Sequence, residues 1–207
     1  MNNASIPNNI AILLNRVRLA AQKSQRSPAD ICVIGASKTR TPEAIREAYK
    51  CGLRHFGENY LQEALEKIDA LADLELCWHF IGPIQSNKTR PIAENFNWVH
   101  SVERLKIARR LSEQRPTQLP PLQICLQVNI SSEDSKSGAS PDELPGLVED
   151  IKSLPRVTLR GLMAIPAATT DEQQQRQSFS RMSQLMQQLR PICPTIDTLS
   201  MGMSGDL

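Results

Sequence analysis

The chain has 207 residues, 40% of them hydrophobic, with 24 basic and 22 acidic side chains for a net charge of +2. That length suits one domain and the apolar share supplies a core, which excludes a disordered protein; the scattered charge leaves no basic stripe to neutralise a nucleic-acid backbone. Five widely spaced cysteines without a CxxC pair suggest neither a disulfide framework nor a zinc site, and no apolar run approaches bilayer length, so no membrane and a reduced, cytoplasmic setting are expected.

In chain order, Ile6, Ile10, Leu13, Leu14, Val17, Ala20 and Ala21 recur at helical spacing and predict an amphipathic helix over 6–23 that packs outside the core. Short β-branched runs then alternate with helical patterns, giving strands near 31–36, 53–56, 76–82, 97–102, 122–130, 158–165 and 196–201. Thr41 is placed to cap the second helix, with Pro42 first in it and Gly52 just past its end. Thr170 with Gln173 reads as a capping box ahead of Phe179, Met182, Leu185, Met186 and Leu189. The residues from Ser131 to Gly138 read as a polar loop.

Such alternation implies βαβ units and a parallel sheet. No G-x-G-x-x-G follows the first strand, which argues against a dinucleotide-binding fold and favours a single α/β domain over 1–207, a (β/α)8 TIM barrel lacking its final strand and helix. The expected state is a monomer whose open barrel exposes strand edges, lowering stability and permitting self-association.

Lys38 closes the apolar run Ile31-Cys32-Val33-Ile34-Gly35-Ala36-Ser37-Lys38, where βα loops assemble active sites. Partial desolvation of its ammonium there favours the neutral amine that a carbonyl needs for Schiff-base formation, which points to an aldehyde cofactor, pyridoxal 5'-phosphate. A phosphate tail calls for small-residue turns with N–H donors and hydroxyls, and Leu199-Ser200-Met201-Gly202-Met203-Ser204-Gly205 suits it. His79 reads either as a satisfied core histidine or as a site residue, and Asn59 either as a helix cap or as a site residue.

Taken together, seven segments resemble the ordered motifs of the pyridoxal phosphate homeostasis proteins, the YggS/PROSC family. They are Ala36 to Thr39, His55 to Glu63, Trp78 to Lys88, His100 to Val102, Gln127 to Ile130, Gly161 to Pro166 and Leu199 to Ser204. The resemblance implies a barrel of the alanine racemase N-terminal type, with the cofactor held as an aldimine of Lys38, its phosphate on the segment Ser200, Gly202 and Ser204, and Asn59 and His79 near it. It implies a role in intracellular vitamin B6 and amino-acid homeostasis without catalysis, with pyridoxal-phosphate-dependent apoenzymes as recipients. The alternative is a racemase or decarboxylase, which needs a second acid or base; His55, His79, His100, Tyr49 and Tyr60 are the histidines and tyrosines present. The family continues past this segment to a strand bearing an R-I-G-T motif, absent from this sequence, so weaker phosphate anchoring and faster cofactor loss are expected.

Overall fold

A computed structural model describes residues 5–130, 137–166, 169 and 171–203. The chain falls into two compact units, one up to Trp78 and one from His79 onward.

The first unit opens with α1, Ile6–Lys23, which buries Ala21 alone and leaves Ile12, Leu14 and Leu19 exposed, as the outer position expected for it requires. β1, Ile34–Ala36, is shorter than the apolar run suggested, because its parallel pairing begins only where Ile34 meets His55 of β2, His55–Glu58. Between them α2, Pro42–Lys50, starts as its sequence dictates: the Thr41 hydroxyl accepts from Ala44 N–H at 3.4 Å and Pro42 supplies a preset φ. Gly52 ends the turn at φ +96°, a conformation that costs glycine little. α3, Leu61–Ala70, follows β2 and turns Ala64 and Lys67 inward.

β3, Cys77–Phe80, leads into the second unit and pairs in parallel with β4, Trp98–Val102, by way of α4, Thr89–Asn95. α5, Leu105–Gln114, buries Ile107, Ala108 and Leu111 and connects to β5, Leu122–Gln127. α6, Leu144–Ile151, then β6, Val157–Met163, α7, Glu172–Leu189, and β7, Thr198–Ser200, complete a run of parallel neighbours β3-β4-β5-β6-β7. All seven expected strands are present, and each βαβ step packs apolar residues such as Val99, Ile124, Leu126, Leu159 and Leu162 into the core.

Two local expectations change. α7 is capped by Asp171, whose carboxylate accepts from the N–H groups of Gln173 and Gln174; Thr170 lies outside the described residues, as do 131–136 of the expected loop. A carboxylate directly before the first turn answers both orphan N–H groups and the helix dipole. The sequence places most of the five cysteines inside apolar, strand-like runs, but only Cys125 and Cys193 are buried, whereas Cys32 is exposed ahead of β1 and Cys51 stands at the C-cap of α2. Among the described residues, no helix is long and apolar enough to cross a membrane.

Candidate functional site

Lys38 and Asn59 lie in the first unit, His79, Ser200 and Gly202 in the second, and Ser204 outside the described residues.

In the first unit, β1 ends at Ala36 and the chain turns through Ser37, Lys38 and Thr39. Lys38 is exposed, so the desolvation expected of it is not found: the strand stops two residues earlier and its side chain starts beyond the packed layer. The desolvated ammonium in this unit belongs to Lys67, whose side chain is 5% exposed. Its three donors go to the Ser37 carbonyl at 2.7 Å, Glu58 Oε1 at 2.8 Å and Glu63 Oε1 at 2.5 Å. Glu58, fully buried at the end of β2, also accepts from Ser37 Oγ at 2.7 Å. Glu63, one helical turn before Lys67 on α3, accepts from Thr39 N–H at 2.7 Å, and the hydrogen bond from Lys67 holds its carboxyl below the usual range.

This cluster sits directly behind the Lys38 backbone. Thr39 has φ +61°, the left-handed region that a β-branched residue seldom enters, and its N–H is fixed there by Glu63. The residues flanking Lys38 on both sides are thus tied to one buried ion cluster, while the Lys38 ammonium itself stays accessible.

Asn59 does not cap α3. Tyr60 stands at the cap position and no side chain serves the turn. Asn59 Oδ1 is buried and accepts no hydrogen bond among the described residues, an acceptor one position past the end of β2 that is open to a donor from a ligand.

In the second unit, His79 is 3% exposed, stacks on Trp98 with ring centroids 5.7 Å apart, and brings its Nδ1 to 2.8 Å from His100 Nε2. His100 Nδ1 lies 2.6 Å from Ser200 Oγ at the end of β7. Burial pushes the His100 imidazole down to about 4, so it is neutral near pH 7. Beyond Ser200, Gly202 takes φ +97° and a Cβ there would meet nothing within 4 Å, so backbone faces open space at the strand's end. A hydroxyl followed by bare left-handed backbone suits an anion such as a phosphate monoester.

His100 makes stability depend on pH. An imidazole that takes its proton at about pH 4 when folded and near 6.5 when unfolded stabilises the fold fully above 6.5, and this contribution is lost as the pH falls towards 4. Burial lowers His55 in the same direction. Urea denaturation should show wild-type stability falling between pH 6.5 and 4, with His100 contributing on the order of 3 kcal/mol. His100→Phe should flatten that slope; an unchanged slope would contradict the assignment.

The sequence reading gave no role in a binding site to four members of these clusters, Glu58, Glu63, Lys67 and His100. The Glu63-Lys67 spacing on a helix was a usable signal for the first cluster, whereas nothing local marks the His100–Ser200 contact.

A family model for the alanine racemase N-terminal domain matches residues 11–207. The chain is 59% identical over 204 residues to the pyridoxal phosphate homeostasis protein of Pseudomonas aeruginosa, covering 99% of this chain and 87% of that protein. It is 51% identical over 207 residues to the protein of the same name from Vibrio cholerae, covering 98% of this chain and 88% of that one. Among solved structures, PipY of Synechococcus elongatus PCC7942 with PLP bound is 36% identical and superposes with a TM-score of 0.78, over 90% of this chain and 88% of that chain. The fold is accordingly the α/β fold of the alanine racemase N-terminal type, followed here through its seventh strand.

Proposed function

This chain belongs to the pyridoxal phosphate homeostasis proteins, and from that premise we propose that it binds pyridoxal 5'-phosphate at Lys38 and serves vitamin B6 and amino-acid homeostasis in the cytoplasm, passing the cofactor to dependent apoenzymes without turnover of its own. The observation that carries this reading is the accessible Lys38 on a turn anchored from beneath by Lys67, Glu58 and Glu63.

When bound, the cofactor would supply an electrophilic aldehyde carbon to a lysine amine. The residues present fit such a group. Within the first unit Lys38 offers the amine and Asn59 Oδ1 an unused acceptor for the ring hydroxyl; within the second, Ser200 and Gly202 offer a hydroxyl and backbone for the phosphate, and Ser204, which the sequence adds to that segment, lies outside the described residues. His79 acts from behind, through His100. A carrier needs a fixed amine and an anion site, and both are supported by side chains within these units; a racemase or decarboxylase needs in addition an opposed acid or base, for which no specific observation speaks.

Absorption spectra after mixing the protein with pyridoxal 5'-phosphate, followed by borohydride reduction and peptide mapping, test the proposal. An absorbance shift with the adduct on Lys38, lost in Lys38→Ala, is the expected result. Adducts spread over surface lysines, or surviving in Lys38→Ala, would overturn it.

A further inference from the structure

The side chains of His79, His100 and Ser200 form one continuous hydrogen-bonded line across β3, β4 and β7, with links of 2.8 and 2.6 Å. His100 sits in the middle. A neutral imidazole carries one N–H and one bare nitrogen, so when both are engaged the direction of one hydrogen bond dictates the direction of the other.

Two arrangements satisfy the line. In one, the Ser200 hydroxyl donates to His100 Nδ1 and presents only lone pairs on its other side. In the other, His100 Nδ1–H donates to Ser200 Oγ, His79 Nδ1–H donates to His100 Nε2, and the Ser200 hydrogen is released to point away from the line. Only the second gives Ser200 a proton to offer an anion. His79 is held for this by its stack on Trp98, and burial of both histidines excludes water that would otherwise satisfy either nitrogen independently.

We propose that His100, with His79 behind it, is a positioning residue that makes Ser200 a hydrogen-bond donor to the phosphate monoester of the cofactor. The inference rests on the cofactor reading given above and deepens it, because it assigns selection of the phosphorylated over the unphosphorylated vitamer to two histidines that need not touch the ligand. The His79 of the sequence expectation thereby takes an indirect part.

The test compares pyridoxal 5'-phosphate with pyridoxal, which has the aldehyde and lacks the phosphate. In His100→Phe, affinity for the phosphorylated form should fall about tenfold, the value of one hydrogen bond to a charged group, while pyridoxal affinity stays within about twofold. His100→Asn places an amide donor near the position of Nδ1 and should recover most of the preference. His79→Phe keeps a ring against Trp98 but removes the nitrogen, and should lower the preference by a smaller factor; it also serves if His100→Phe does not fold. The 31P resonance of the bound phosphate should move in both phenylalanine variants. Equal losses for the two ligands, or an unchanged ratio in both phenylalanine variants, would overturn the proposal. If the wild type itself bound neither ligand at Lys38, the cofactor reading would fail instead.

Discussion

Lys67→Met is expected to destabilise the fold by about 3–5 kcal/mol, the range for removing one partner of a buried ion pair. Methionine matches the lysine stem in volume, so the loss is electrostatic and not a cavity effect. Glu58, fully buried, would keep only the Ser37 hydroxyl, and its Oε2 already lacks a partner among the described residues. The Ser37 carbonyl would lose one of its two donors, the other being Arg40 N–H. Glu63 would be freed from Lys67 and hold Thr39 in its left-handed conformation less firmly. Adduct formation at Lys38 should therefore slow even under conditions where the variant remains folded.

Urea denaturation gives the first quantity and the time course of absorbance change with pyridoxal 5'-phosphate the second. Adding Glu58→Gln should recover part of the stability, because it removes the charge left unpaired, so the two substitutions together cost less than their sum. A Lys67→Met protein within 1 kcal/mol of wild type would show that the cluster does not anchor this turn.

Gly161→Ala should be at least as damaging, by about 3 kcal/mol or more, since overpacking against backbone cannot be relieved by a rotamer change. Gly161 on β6 lies opposite Thr198 of β7, and a Cβ added there would stand 1.8 Å from the Thr198 carbonyl oxygen and 2.6 Å from its carbon. Strand β7 has three residues, paired Gly161 with Thr198, Leu162 with Leu199 and Met163 with Ser200, so displacing the first pair loosens the whole strand. Ser200 would then leave His100, and phosphate-dependent affinity should fall by more than tenfold together with stability. Gly146→Ala is the control: it lies inside α6 with nothing within 4 Å of a new Cβ, and should raise stability by about 0.5–1 kcal/mol. Thermal melts of the two variants, with a pyridoxal 5'-phosphate titration of each, decide the matter. A Gly161→Ala protein that melts like wild type would mean that β7 can move away without cost.

The two substitutions differ in how far the sequence foreshadows them. Gly161 stands in a segment that was legible as a strand, yet a lone glycine there announces only a bulge or a close approach without naming the neighbour. Lys67 lies in a helix of ordinary composition, where an i, i+4 Glu–Lys pair usually marks a solvated face. What turns it inward is the buried carboxylate of Glu58 at the end of β2 and the carbonyl of Ser37 in the turn after β1. The reverse holds for Lys38, which the apolar run placed at a strand end although β1 stops two residues earlier, and whose exposure the run could not reveal.

The amino-acid sequence by itself determined the order of seven strands and their intervening helices, the caps at Thr41 and Gly52, and the position of Lys38 just past the first strand. These follow from periodicity and turn chemistry, which act over a few residues. Only the tertiary structure decided which lysine is buried, which histidine is held neutral and what stands behind Ser200. Lys67 meets Ser37 across 30 residues of chain and His100 meets Ser200 across 100, and desolvation and hydrogen-bond direction depend on those distant partners.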